Sequence, residues 1–155
     1  MINMTLTPKE NDLLKDLKSQ EQLCVEKYAR YAAEAHDPQL QNLFTKIQGV
    51  EQQHLDTITQ IMNGGTPQVG PAPQSPQNNA TATYGLGANA ADKQGDQFLC
   101  GDSLAVEKHV AAEYNTCVFE FCNASLRDTL AHIQKEEQNH GKEIYDYMSK
   151  NGMYN

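Results

Sequence analysis

One four-residue helical motif occurs twice in this sequence, and the repetition constrains the fold more than any other feature. Glu51-Gln52-Gln53-His54 is matched by Glu137-Gln138-Asn139-His140 after a shift of 86 residues (137 − 51). The same shift carries Glu21 onto Glu107, so each motif has a glutamate 30 residues upstream (51 − 21 and 137 − 107). Residues i and i+3 share a helix face, where a carboxylate and an imidazole can reach one metal ion. A single motif often arises by chance on a solvated face, but two copies with matching glutamates are hard to dismiss.

The match between the two halves extends beyond these acidic and imidazole residues. Further identical pairs under the same shift are Tyr28/Tyr114, Glu34/Glu120, Leu40/Leu126, Ile47/Ile133, Gln48/Gln134, Ile58/Ile144 and Met62/Met148. An internal duplication of a helical hairpin is the economical explanation. Each hairpin offers one glutamate from its first helix and a glutamate and a histidine from its second, which is the ligand set of a ferritin-like dinuclear carboxylate site. The sequence therefore predicts one all-α domain over residues 1–155, a ferritin-like four-helix bundle of two antiparallel hairpins with a long crossover.

The first hairpin is predicted to span about residues 8–63. Thr7 is expected to cap the first helix, with Pro8 in the first turn and Glu10 completing a capping box. Apolar residues then recur at alternating spacings of three and four, which is the pattern of a packed helix face. Glu21 lies within that apolar face.

A tight turn is predicted at Asp37-Pro38, where Asp37 would cap the second helix. The second helix carries Glu51 and His54 on its apolar face. Asn63-Gly64-Gly65 is expected to end this helix with a left-handed cap.

Residues 64–95 are rich in Gly, Pro, Gln, Asn, Ala and Thr, which predicts a crossover without regular helix. Such a connection must run the length of the bundle, and this one is long enough for part of it to be disordered. The second hairpin is predicted over about residues 96–152, with Asp96 as the cap of its first helix and Asn123 at its turn.

Six buried acidic or imidazole side chains are predicted to bind two metal ions, because unpaired charges at core positions are costly. They are Glu21, Glu51, His54, Glu107, Glu137 and His140. In this arrangement Glu51 and Glu137 bridge the ions, Glu21 and Glu107 are terminal ligands, and each histidine gives one nitrogen. These ligands suit iron or manganese, with zinc as a possible substitute. A metal-free interior held by carboxyl–imidazole hydrogen bonds is the alternative.

Two tyrosines lie near the predicted site. Tyr28 and Tyr114 lie two helical turns from the upstream glutamates, where they could donate hydrogen bonds to the ligands or fill the core. Acidic and histidine residues off the apolar faces are expected at the surface: Glu26, Glu34, Glu136, Glu143, His36, His109 and His132.

Composition narrows the functional classes. Twelve basic and twenty acidic side chains give a net charge of −8, which argues against nucleic acid as a partner and fits a soluble protein that attracts cations. No apolar run is long enough for a membrane span, and residues 1–7 lack the pattern of a cleaved leader. Four irregularly spaced cysteines indicate reduced thiols. Cys24 and Cys117 are expected to pack in the core, while a cross-linking role for Cys100 and Cys122 stays open.

A family resemblance is carried by segments of the second hairpin: Glu107-Lys108-His109, Glu113-Tyr114-Asn115, Leu126-Arg127, Glu137-Gln138-Asn139-His140, Tyr147-Met148 and Gly152-Met153-Tyr154. Over about residues 97–154 the chain resembles the Coat F family of spore coat proteins from endospore-forming bacteria. The resemblance implies a ferritin-like helical protein of the spore coat, made in the mother-cell cytoplasm and assembled with other coat proteins. We also expect a homo-oligomer. The resemblance implies no reaction.

Two functions from different classes are therefore open. In the first, the chain is a structural coat protein whose metal pair joins the four helices from inside. In the second, it is a di-iron or di-manganese oxidoreductase of the manganese-catalase, peroxidase or ferroxidase type. Metal content and the rate of peroxide loss would separate the two.

Overall fold

Four long helices make up most of the chain. The computed structural model describes residues 5–85 and 87–154. The helices are α1 (Pro8–Glu34), α2 (Pro38–Met62), α3 (Ala90–Glu120) and α4 (Ala124–Lys150). The described residues contain no strand, and the predicted all-α fold is confirmed.

The helices pack as two antiparallel hairpins laid against each other. α1 packs along α2 and α3 along α4, while α1 also contacts α3 and α2 contacts α4. The start of α3 lies beside the α1–α2 turn, because Asp96 accepts hydrogen bonds from the backbone N–H groups of His36 and Asp37. The chain must therefore cross from one end of the bundle to the other between α2 and α3. This is the four-helix bundle with a long crossover that the sequence predicts.

Most of the predicted helix ends are confirmed. Thr7 and Glu10 form a reciprocal capping box, with the Glu10 N–H 3.1 Å from Thr7 Oγ1 and the Thr7 N–H 2.8 Å from Glu10 Oε1. Asp37 caps α2 and Asn123 caps α4 through their side-chain oxygens. Gly64 follows α2 with φ of 89°, the left-handed conformation that a helix end of this kind requires.

The predicted start of α3 at Asp96 is wrong. The helix begins at Ala90, where the Asn89 side chain accepts hydrogen bonds from the N–H groups of Ala91 and Asp92. Asp96 is fully buried inside the helix, and its carboxylate also accepts a 2.6 Å hydrogen bond from Tyr84. The sequence did not reveal the first turns of α3, because Gly95 and the polar residues before it lack the pattern of a packed helix. Asp96 was predicted to be a cap because an aspartate that accepts hydrogen bonds from backbone N–H groups of another segment looks the same in sequence as one that caps its own helix.

The crossover lies along α4. Among its described residues it contains no helix or strand before Ala90. Its backbone oxygens at Pro67 and Gln74 accept hydrogen bonds from Thr129 and Asn139 of α4. Farther along, the Thr83 N–H donates to the Asn151 side chain at the end of α4. These contacts follow the order of residues in α4, so the crossover runs over the groove between α2 and α4.

Two further predictions concern membrane-spanning segments and the cysteines. No described helix is long and apolar enough to cross a membrane. All four cysteines are free thiols. Cys24 and Cys117 are buried, as predicted. Cys100 is also buried, and Cys122 is exposed. The sequence predicts that residues 1–7 do not form a cleaved leader. Residues 1–4 of this segment lie outside the described residues.

The buried Glu10 carboxylate gives the bundle a defined pH dependence. It accepts hydrogen bonds from the N–H groups of Thr7 and Cys122, and so ties the start of α1 to the α3–α4 turn. Burial acts to raise the pKa of Glu10, but these hydrogen bonds outweigh burial and hold the pKa below the usual 4.5. Because the pKa is lowered by folding, the carboxylate stabilises the fold above pH 4.5 and loses this effect as the pH falls through its folded pKa.

We therefore expect Glu10→Gln to lower the free energy of unfolding by about 1 kcal/mol at pH 7, with a difference from the wild type that vanishes in acid. Urea unfolding across the acid range measures this. Glu26→Gln, at an exposed glutamate of α1, serves as the control. A difference that stays constant at every pH would contradict the account.

Candidate metal centre

All six predicted ligands meet in one buried cluster between the four helices. Each exposes 4% of its surface or less. α1 contributes Glu21, α2 contributes Glu51 and His54, α3 contributes Glu107, and α4 contributes Glu137 and His140. The periodicity that placed these residues on apolar helix faces also brings them to one point in the core.

The first group of possible ligands surrounds His54. Its Nδ1 lies 2.7 Å from Glu137 Oε1, 3.5 Å from Glu51 Oε2 and 3.7 Å from Glu21 Oε1. One ligand atom from each of these four residues lies within 4.8 Å of all the others. The group therefore draws on α1, α2 and α4.

The second group surrounds His140. Its Nδ1 lies 2.9 Å from Glu51 Oε1, 3.5 Å from Glu107 Oε1 and 4.0 Å from Glu137 Oε2. These residues also place one ligand atom each within 4.8 Å of the others. The two groups share Glu51 and Glu137, the residues predicted to bridge two ions.

The donor atoms of the cluster are buried without hydrogen-bond partners. They include both carboxylate oxygens of Glu51 and Glu137, Oε2 of Glu21 and Glu107, and Nδ1 of both histidines. The short nitrogen–oxygen distances between them lack the alignment of hydrogen bonds. Leaving buried polar atoms unpaired costs about 1–3 kcal/mol each, and more for charged groups. A pair of cations would satisfy all of these atoms at once, so the residues fit a dinuclear metal centre of oxygen and nitrogen ligands.

Protonation is unevenly distributed over the carboxyl groups. Burial, with the nearby Glu51, raises the pKa of Glu21 to about 10. Burial and the neighbouring Glu107 raise the pKa of Glu137 well above its ordinary value. Burial also acts against ionisation of Glu51, but contacts with His140 and His54 outweigh burial and lower its pKa.

The two histidines favour the charged form when no cation is present. Burial acts to lower the pKa of each ring, but facing carboxylates outweigh burial. Glu136 and Glu51 raise the pKa of His54 to about 10, and Glu107 and Glu51 raise the pKa of His140 to about 9. Because metals bind deprotonated ligands, cations entering the cluster would displace these protons.

Glu136 lies closer to the cluster than predicted. The expectation of a surface residue is wrong, because Glu136 is 27% exposed and its Oε1 lies 3.2 Å from His54 Nε2. A carboxylate on Nε2 holds the ring with Nδ1 toward the other ligands. Glu136 directly precedes Glu137 in α4, and its side chain is directed toward α2. The periodicity of α4 alone does not reveal this contact, because it depends on the position of another helix. The shift of 86 places Val50 at the equivalent position, so this contact has no counterpart for His140.

The other residues expected at the surface are mostly there. Glu26, His36 and His109 are exposed, whereas the His132 side chain is 21% exposed and lies 3.4 Å from Glu136. Glu143 is only 16% exposed, because it pairs with Lys46 across the α2–α4 groove at 2.7 Å. His132 and Glu143 therefore lie at the surface but are only partly exposed.

Two buried tyrosines connect the hairpins through the terminal carboxylates. Tyr28 of α1 donates a 2.6 Å hydrogen bond to Glu107, and Tyr114 of α3 donates a 2.6 Å hydrogen bond to Glu21. Burial and the facing carboxylate raise the pKa of each tyrosine well above its ordinary value, so both hydroxyls stay protonated. The sequence left two roles open for these tyrosines, filling the core and contacting the predicted ligands. Both tyrosines do both.

Comparison with known proteins adds one match. Residues 95–155 match the Coat F domain, in agreement with the resemblance of about residues 97–154. No curated protein and no solved structure matches the chain. The matched region contains Glu107, Glu137 and His140 but none of the first-hairpin ligands. The match supports a spore coat protein and leaves the cluster to be argued from its geometry.

We expect Tyr28→Phe and Tyr114→Phe each to lower the free energy of unfolding by about 2 kcal/mol in the metal-free protein, because each leaves a buried carboxylate with one donor fewer. Chemical unfolding in the presence of a chelator measures the loss. Tyr145→Phe, at a tyrosine that is 42% exposed, is the matched control. Equal stability of all three variants would show that the tyrosines only fill space.

Proposed function

We propose that the protein is a structural component of the spore coat whose ferritin-like bundle holds a dinuclear metal site, because residues 95–155 match the Coat F domain and two groups of buried ligands meet in the core. The two ions would be iron or manganese, with zinc as a substitute. The protein would be made in the mother-cell cytoplasm and would assemble with other coat proteins, and with further copies of itself.

The observation that carries the metal site is the pair of buried ligand groups that share Glu51 and Glu137. Both carboxylate oxygens of these two residues lack hydrogen-bond partners. His54 Nδ1 lies 2.7 Å from Glu137 Oε1, and His140 Nδ1 lies 2.9 Å from Glu51 Oε1. Four carboxylates buried together repel one another unless protons or cations lie between them. Two divalent cations remove this repulsion and satisfy the unpaired atoms.

A structural role follows from which helices the ligands come from. Glu21 and Glu107 belong to the first helix of each hairpin, whereas the shared Glu51 and Glu137 belong to the second helices. Ions bound here would join the two hairpins, which otherwise contact each other less closely than the helices within each hairpin do. A cation that binds only the folded state stabilises it by RT ln(1 + [L]/Kd), or about 4 kcal/mol at a thousand times Kd.

The chain's own residues would hold and shield the ions. Glu136 fixes the His54 ring, Tyr28 and Tyr114 fix the terminal carboxylates, and the surrounding apolar side chains exclude water. Bound iron or manganese would supply Lewis-acid and redox chemistry at this point.

A second function is favoured by one observation. Glu107 and Glu137 are among the residues that line a cavity of about 390 Å³ on the α3–α4 face, so a space large enough for a small molecule lies beside the ligand cluster. A space for a small substrate beside a metal pair is what an oxidoreductase of the manganese-catalase, peroxidase or ferroxidase type requires.

A metal-free cluster is the competing account of the same geometry. A protonated His140 ring, whose Nδ1 lies 2.9 Å from the ionised Glu51 carboxylate, would also form a stable ion pair. In that case the bundle would gain nothing from added cations, so metal titration separates the two accounts.

We expect the full chain, purified with manganese(II) or iron(II), to hold two ions and to melt at least about 5 °C higher than in chelator. Glu51→Ala and His54→Ala should reduce the metal content and remove the difference between melting with metal and with chelator. Glu26→Ala, at an exposed position, should keep both. Elemental analysis, thermal melting and anomalous scattering across the manganese and iron edges provide the measurements. A wild-type melting temperature indifferent to chelator and to metal would refute the site.

Peroxide loss separates the structural protein from the enzyme. If the role is structural, the protein loaded with two ions should consume peroxide no faster than the same metal free in solution. Turnover that is fast in the wild type and absent in Glu51→Ala, at matched protein concentration, would instead establish the oxidoreductase.

A further inference from the structure

Among the described residues, one donor atom of the six candidate ligands is neither sealed in the core nor hydrogen-bonded. The other donor atoms are fully buried or pair with Tyr28, Tyr114 or Glu136. The exception is Nε2 of His140, whose ring lines a cavity of about 220 Å³ in the groove between α2 and α4. Because Nδ1 of this ring is buried inside the cluster, the opposite edge of the ring faces the cavity. The His140 ring is therefore the wall between the groove and the cluster.

This ring has no carboxylate partner at its Nε2 within the described chain. Glu136 lies 3.2 Å from the Nε2 of His54, but Val50 stands at the equivalent position for His140 and lines the same cavity. The torsion that turns an imidazole about its Cβ–Cγ bond has broad minima, so a ring held at one edge only can rotate. Rotation of the His140 ring would open the cluster to the groove.

The groove outside the ring carries groups that attract cations. Glu136 and Glu143 line the cavity beside His140. Lys46 pairs with Glu143 across the groove at 2.7 Å, and both residues also line a second cavity of about 470 Å³ in the same groove. The ion pair therefore stands where the two cavities meet. The Lys46 side chain is 63% exposed and can swing into solvent, whereas Glu143 is 16% exposed and stays in the groove.

The cavity on the α3–α4 face lacks an open donor atom. Glu107 and Glu137 are among the residues that line it, but Oε2 of Glu107 and both oxygens of Glu137 are sealed from solvent. The remaining oxygen of Glu107 accepts the hydrogen bond from Tyr28. The groove between α2 and α4 is thus the side on which a donor atom of the cluster can be reached.

We propose that divalent cations enter the cluster through the groove between α2 and α4. Glu143 attracts the cations, Lys46 slows their entry by pairing with Glu143, and the His140 ring turns to let them pass. The inference rests on the proposed metal site and adds the route by which that site is filled.

Cobalt(II) is a suitable probe, because its visible absorption changes when protein nitrogen and oxygen atoms replace bound water. The full chain, freed of metal, is mixed rapidly with cobalt(II). The absorption gives the rate of uptake, and elemental analysis gives the final metal content. Val50→Phe, which fills the cavity beside the His140 ring, should slow uptake at least about tenfold without changing the final content. Ala111→Leu narrows the cavity on the α3–α4 face instead, and should take up cobalt(II) at the wild-type rate.

The ion pair gives a second test with opposite signs. Glu143→Gln should slow uptake about threefold and Lys46→Met should speed uptake about threefold at low ionic strength, because the two changes remove opposite charges from the entrance. Lys9→Met and Glu120→Gln are the matched controls. Lys9 and Glu120 form an ion pair of the same 2.7 Å length between α1 and α3, outside the groove. Both controls should keep the wild-type rate.

Wild-type rates in both Val50→Phe and Glu143→Gln would overturn the route, and so would Ala111→Leu slowing uptake as strongly as Val50→Phe. Thermal melting checks that each variant is folded, and Glu143→Gln, at a partly exposed side chain, tests the route if Val50→Phe does not fold. A wild type that binds no cobalt(II) would refute the metal site and the route together. Two ions bound at a rate indifferent to every change in the groove would refute the route alone.

Discussion

The burial of four carboxyl groups and two imidazoles at one level of the bundle is the constraint on which the rest of the structure depends. Burying any one of these groups alone would destabilise the fold, because a buried charge without a partner loses its hydration. The cost falls where all four helices bring the groups together. Their shared position fixes the register of α1 against α3 and of α2 against α4. Tyr28 and Tyr114 reinforce that register, because each reaches from one hairpin to a carboxylate of the other.

The two halves supply equivalent candidate ligands, but the surroundings of these residues differ. Glu136 holds the His54 ring, while Val50 stands at the matching position beside His140. Gly141 stands one residue after His140, where the first hairpin has Leu55 after His54. The asymmetry therefore lies in the residues around the cluster and not in the six side chains themselves.

Sequence periodicity predicted the features that depend on one helix at a time. It placed the six candidate ligands on buried faces, and local cap chemistry identified Thr7 and Asp37 as caps. Asn123 was predicted at the second turn, where it caps α4. Periodicity failed where a residue's role depends on another element. Asp96 was mistaken for a cap because its partners, the His36 and Asp37 N–H groups, lie about sixty residues away in sequence. Glu136 was misplaced for the same reason, since the helix that covers it is α2.

The course of the crossover makes the two sides of the cluster different. The connection had to span the bundle, and its contacts with Thr129, Asn139 and Asn151 lay it over the groove between α2 and α4. There Gln74 and Pro76 line a cavity of about 220 Å³ together with His140, so the crossover covers the histidine side of the cluster. The α3–α4 face carries no such cover in the described chain, and Gly141 lies on that face. A topology required simply to join two hairpins thus also places part of the crossover over the histidine side of the cluster.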